Sequence, residues 1–155
     1  MDWKKLSSKK IVLAGGVFDI IHPGHIHTLN AAKALGDVLV VAIATDKTAK
    51  KMKKRQPLHS QELRHELVSS LSMVDVAVIG NEDDIFETVK LVKPDVIALG
   101  YDQRLFSTDE LEAKLLERGL KVKAVRFPEM EQDLAGSRKI ISKIMMIYRK
   151  KYGSE

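Results

Sequence analysis

The sequence predicts a three-layer α/β fold built on a five-stranded parallel sheet, and three observations support that expectation. Short apolar, β-branched runs recur along the chain, and segments with helical spacing of apolar residues separate them. The strongest of these runs are apolar on both faces, as strands covered by helices on either side must be. With 45% hydrophobic residues among 155, and no internal repeat or linker, the chain reads as a single domain over residues 1–155 with one core.

The first strand is expected at 10–14 (KIVLA). Gly15 and Gly16 follow it and let the backbone turn tightly and approach a ligand. Pro23 marks a helix start, because its missing N–H would be unpaired in the first turn anyway. His22 therefore falls at or near the N-cap and His25 in the first turn. Ile26, Leu29, Ala32 and Leu35 give this helix an apolar face, and Gly36 closes it. Residues 38–45 (VLVVAIAT) form the next strand, completing a βαβ unit within about forty residues. A basic segment at 46–57 comes next, and no helix or strand is assigned to it. Ser60 then starts a helix in which Leu63, Leu67, Val68 and Leu71 face inward and Arg64 lies at the edge of that stripe.

A short strand is expected at 75–79, a helix at 84–92, and a strand at 94–99 that ends in Gly100-Tyr101-Asp102-Gln103. A helix at 108–118 ended by Gly119, a strand at 121–127 and a helix at 136–148 complete the pattern. Ile140, Ile141, Ile144 and Ile147 form the apolar face of that last helix. Strands alternating with helices in this way give a Rossmann-like sheet, in which ligands bind beyond the carboxyl ends of the strands at a switch in strand order.

Composition narrows the function. The absence of Cys excludes disulfides, thiolate metal sites and a cysteine nucleophile. The 26 basic and 21 acidic residues give a net charge of +5, concentrated at 47–55 and 149–151. Such clusters suit a phosphorylated small molecule or nucleic acid. Only 5% of residues are aromatic, which leaves no stacking platform beside the basic run and argues against a nucleic-acid partner. Residues 1–10 are polar and no apolar run approaches the length of a membrane span, so a cytoplasmic protein without a membrane partner is expected.

The chemistry concentrates in Ala14-Gly15-Gly16-Val17-Phe18-Asp19-Ile20-Ile21-His22-Pro23-Gly24-His25. Both imidazoles fall at the positive end of a helix dipole, beside backbone N–H groups that have no helical partner, and that combination favours a polyphosphate. Their spacing of three puts them on one helix face. Two other readings stay open on these residues alone: a helix start with solvated histidines, and a His-x-x-His metal pair, which would want further Cys, Asp or Glu ligands. The Gly-x-Gly-x-x-Gly fingerprint is absent, which disfavours a hydride-transfer dinucleotide.

The run Gly15-Gly16-Val17-Phe18-Asp19 followed by His22-Pro23-Gly24-His25 resembles the signature of the HxGH nucleotidyltransferase superfamily, in its cytidylyltransferase-like branch. The likeness extends from Ile11 to Ile147. It implies the HUP-type variant of the Rossmann-like fold, and transfer of a nucleoside monophosphate from a triphosphate to a phosphorylated acceptor with release of pyrophosphate. It implies that His22 and His25 stabilise the α and β phosphates and that Gly16, Val17, Phe18, Pro23 and Gly24 line the nucleotide cradle. Lys53 and Arg64 join the catalytic groups, with the Arg64 fork contacting phosphate. Lys51 and Arg55 clamp phosphate or acceptor, and Asp102 contacts the nucleoside. Asp19 fixes the loop or serves the acceptor side, and Ser137 and Arg138 meet phosphate at a helix start. A divalent cation, Mg²⁺, is implied as a cofactor held mainly by the triphosphate, with no protein metal site.

Each of these positions also has a plainer reading: a solvated lysine run, a surface arginine, a turn aspartate. Two departures from the family pattern stand out. Val17 replaces a threonine, and Asp133 replaces the leading arginine of a late motif.

The stretches AGGVFDIIHPGH, KKMKKRQP and LGYDQ are most similar to archaeal FMN adenylyltransferases. This likeness implies ATP as donor, FMN as acceptor, FAD as product and a homodimer as a further association. The alternative is a cytidylyltransferase that uses CTP and glycerol 3-phosphate or another small phosphorylated acceptor. The non-enzymatic alternative is a nucleotide-sensing or nucleic-acid-binding module that has kept the fold. A flavin would also require an apolar pocket, expected near Met52, Phe106 or Phe127.

Overall fold

The computed structural model describes residues 8–130 and 136–153. Strands β1 (Ile11–Gly16), β2 (Val38–Ile43), β3 (Val76–Ile79), β4 (Val96–Leu99) and β5 (Lys123–Arg126) form an all-parallel sheet of five strands in the order β3-β2-β1-β4-β5. Helices α1 (Pro23–Lys33), α2 (Asp46–Lys53), α3 (Gln61–Ser69), α4 (Ile85–Val92), α5 (Thr108–Glu117) and α6 (Ser137–Tyr152) connect or follow the strands.

Strand period two explains the layers. Ile11 and Leu13 of β1 join a core with Phe86, Val89 and Val92 of α4 and Leu111 and Leu115 of α5. Val12 and Ala14 point the other way, into a core with Leu29 and Ala32 of α1 and Val68 of α3. Both faces of the sheet are therefore covered, which is why its inner strands read as continuous apolar runs rather than as alternating ones.

The chain builds outward from β1 through β2 to β3, then returns to add β4 and β5 on the opposite side of β1. That reversal opens a crevice at the carboxyl ends of β1 and β4. Gln103 bridges it, accepting from Gly100 N at 2.7 Å and donating to Gly15 O at 2.6 Å.

Three expectations are corrected. The basic segment is helical over Asp46–Lys53, with the Thr45 hydroxyl accepting from Thr48 N and Lys54 left-handed at φ 55°. Ala49 is its buried residue, so α2 offers no apolar stripe for a periodicity reading to detect. In α3 the inward positions are Arg64, at 0% exposure, and Val68, while Leu63 and Leu67 are 50% and 42% exposed. Helix α6 has the expected apolar residues but none is buried, and Ile144 and Ile147 are exposed. Asp133 and its two following neighbours lie outside the described residues.

Candidate active site

The cradle starts where β1 runs out. Gly16 is needed there because a Cβ on it would stand 2.9 Å from the Phe18 ring, closer than carbon atoms tolerate. Phe18 itself is left-handed, at φ 52°, a conformation that costs free energy in a residue with a side chain and that clusters at functional loops. Its buried ring then packs against His25, with centroids 5.0 Å apart. His22 caps α1 in extended conformation, as expected, and Pro23 opens the helix.

The two imidazoles stack, 3.8 Å between centroids and 21° between planes. His22 Nδ1 accepts from His25 N at 3.4 Å, so a neutral His22 carries its proton on Nε2. His25 Nδ1 is buried and has no hydrogen-bond partner among the described residues, so the nitrogen it can offer a ligand is Nε2. Burial lowers the His25 pKa to about 3, helped by the neighbouring His22 and by Lys53, while the Ile20 backbone opposes the shift. Burial also lowers the His22 pKa, Asp102 raises it and Lys53 lowers it. At neutral pH both rings are uncharged, His22 presents an Nε2–H donor suited to a phosphoryl oxygen, and neither ring is suited to delivering a proton.

Lys53 at the end of α2 and Asp102 beyond β4 thus come close enough to the histidines to act on their charge, and both are exposed. Lys51 is exposed on α2. Asp19 and Arg55 are turned to another task. The buried Asp19 carboxylate accepts from Arg55 Nη1 at 2.9 Å, Leu58 N at 2.8 Å and His59 N at 3.1 Å. Burial pushes its pKa up, but these bonds outweigh burial and hold it below the ordinary carboxylate value. The result is a loop fastener, not a free clamp.

Arg64 departs furthest from the expected phosphate contact. Its Nε donates to His59 O at 3.1 Å, Nη1 to Val17 O at 2.6 Å and Nη2 to Asp46 Oδ1 at 2.7 Å, with no surface left exposed. The fork ties cradle, α2 and the 54–60 loop together. Ser137 and Arg138 occupy the first turn of α6, and none of the bonds described around His22 and His25 reaches them. Among the described residues no group of three or more His, Cys, Asp or Glu side chains is placed to hold a metal ion.

The profile of the cytidylyltransferase-like family matches residues 13–151. The chain belongs to the cytidylyltransferase-like family. Within it the chain is 48% identical over 139 residues to a FAD synthase of Picrophilus torridus, covering 90% of this chain and 99% of that one. It is 45% identical over 148 residues to a FAD synthase of Thermococcus onnurineus, covering 94% and 98% of the two chains. A crystal structure from Thermoplasma volcanium, described as a lipopolysaccharide core biosynthesis protein, matches with a TM-score of 0.76 at 46% identity, over 79% of this chain and 99% of that one.

In this cytidylyltransferase-like chain Val17, in place of threonine, has a buried side chain, and its backbone carbonyl accepts from Arg64 Nη1. Sequence reading missed four residues that shape the site. Asp46 and His59 receive and position the fasteners, Gln103 bridges the crevice, and Arg126 donates to the carbonyls of Gly100, Gln103 and Phe106 to hold the loop after β4. A polar residue directly after a parallel strand was the signal available for Gln103.

Proposed function

We propose that the protein is an FMN adenylyltransferase that transfers AMP from ATP to FMN and releases pyrophosphate. The observation that carries this reading is the stacked, neutral His22–His25 pair at the start of α1, in a chain similar along nearly its whole length to FAD synthases. A phosphate oxygen of FMN attacks the α-phosphorus of ATP, a new P–O bond forms, and the bond from that phosphorus to the bridging oxygen breaks as pyrophosphate leaves. No covalent enzyme intermediate is needed. The His22 Nε2–H, the His25 ring, the Gly24 N–H at the α1 start and the Lys53 ammonium stabilise charge that grows on the phosphoryl oxygens.

The histidines and Lys53 act on the triphosphate, while Asp19, Arg55 and Arg64 act through the loops they hold. A Mg²⁺ ion would be held mainly by the triphosphate oxygens and would neutralise their charge. Asp102, exposed and near His22, fits a water of that ion or a ribose hydroxyl. The chain is read as one nucleotidyltransferase domain. A cytoplasmic location fits substrates of this kind, and among the described residues no helix is long and apolar enough to cross a membrane. A homodimer that covers the apolar side of α6 would complete the assembly.

The test is to supply Mg²⁺, each of the four nucleoside triphosphates and either FMN or glycerol 3-phosphate, and to follow FAD by chromatography and pyrophosphate by a coupled assay. FAD formed with ATP supports the reading. Pyrophosphate released with CTP and glycerol 3-phosphate, and no FAD with ATP, would replace the acceptor and donor while leaving the histidine roles in place.

A further inference from the structure

We propose that an apolar trough along the outer side of α1 seats the ring system of the acceptor, an isoalloxazine, and that Asn30 and His27 read its polar edge. The proposal rests on the flavin reading above and adds the location of the acceptor. The trough is a cavity of about 530 Å³ whose floor is Ile21, Pro23, Ile26 and Met130. His22 lines one end, and His27 and Asn30 supply the other polar groups.

Positions 23, 26, 27 and 30 of α1 form one stripe beside the core-facing Leu29 and Ala32, so Ile26 lies off the core face on which its spacing placed it. Solvent-facing stripes of soluble helices are normally polar throughout. Pro23 and Ile26, joined by Ile21 from the cradle loop and Met130 from beyond β5, instead make an apolar surface suited to a flat ring. The eight residues from Pro23 to Asn30 span about 10 Å of helix, long enough for three fused rings lying along it.

Continuity with the catalytic residue gives the trough its direction. The FMN phosphate must come within bonding reach of the α-phosphorus that His22 contacts, and His22 lines one end of the trough, so the ring system attached to that phosphate can extend along it. The far end then needs groups for the imide of the flavin, which offers one N–H and two carbonyls. The Asn30 amide both donates and accepts, and the His27 ring does likewise. The purine of ATP is served instead by the carboxyl end of β4, where Asp102 stands. Phe106 and Phe127 are half-buried and packed against the two cores, and Met52 is exposed on α2.

The experiment compares wild-type protein with Ile26→Arg, His27→Ala and Asn30→Ala, reading the FMN dissociation constant by flavin fluorescence and the KM for ATP in the FAD assay. The expected result is FMN binding weakened about tenfold or more in Ile26→Arg, several-fold in His27→Ala and Asn30→Ala, and KM for ATP within about twofold of wild type in all three. His27 and Asn30 are exposed, so their alanine variants decide the matter if Ile26→Arg fails to fold. Unchanged FMN affinity in the folded variants, or a raised KM for ATP in its place, overturns the trough assignment while FAD synthesis stands. A wild-type protein that makes no FAD overturns the functional reading itself, and this assignment with it.

Discussion

His25 shows how much of the chemistry is decided by the surroundings of a single side chain. Phe18 on one side and His22 on the other bury the ring and hold it neutral, at a pKa of about 3. An unfolded imidazole titrates near 6.5, so between those two values the unfolded chain binds a proton that the folded chain does not. Stability from this group is therefore fully present above about pH 6.5 and declines as the pH falls through that window. At pH 5 the loss relative to pH 8 is about 2 kcal/mol. Urea unfolding of wild type and His25→Gln at several pH values should show the wild-type midpoint rising more steeply between pH 4.5 and 7. Equal slopes would mean that the ring is not buried in its neutral form. Two histidines, their spacing and Pro23 made the helix start legible in the sequence. The protonation state was not legible, because it depends on a left-handed Phe18 that folds its ring over the pair.

At the scale of elements, the 54–60 loop and helices α2 and α3 act as a frame for the cradle. Arg64 faces the core of α3 because three acceptors from three segments converge on its fork. A periodicity reading assigns that stripe to leucines, since the pairing that makes a buried arginine tolerable exists only in three dimensions. Replacing Arg64 by Met should destabilise the fold by about 3 kcal/mol, read in thermal or urea unfolding, by leaving Val17 O and Asp46 without their donor. Lys at this position should recover little of it, because one ammonium cannot reproduce the fork. A variant as stable as wild type would contradict the framing role. The basic run divides on the same grounds. Lys53→Ala should lower kcat or raise the KM for ATP, and added salt should mimic part of that effect in wild type. Arg55→Ala should reach activity mainly through stability, since its guanidinium bonds Asp19. Loss of stability from Lys53→Ala with unchanged kinetics would reverse that division.

Over the whole molecule, alternating apolar runs and helical stripes made the layered sheet legible, and the strand order beside β1 followed the rule for ligand crevices. Helix α6 shows the limit of such reading: its apolar residues are present, yet nothing local in the sequence says that the sheet leaves them uncovered. The trough along α1 was equally hidden, because Met130 meets that helix only once the chain has crossed the sheet. Fold, cradle and charge converge on one claim, that the α-phosphorus of ATP moves to FMN under the two histidines. The direct measurement supplies ATP labelled with ³²P at the α position, with FMN and Mg²⁺, and follows the label by chromatography. Label should appear in FAD and not in pyrophosphate, at a rate lowered about 100-fold or more in His22→Ala and His25→Ala that remain folded. Label that stays in ATP or in free AMP, or FAD synthesis undiminished in both variants, would contradict the claim.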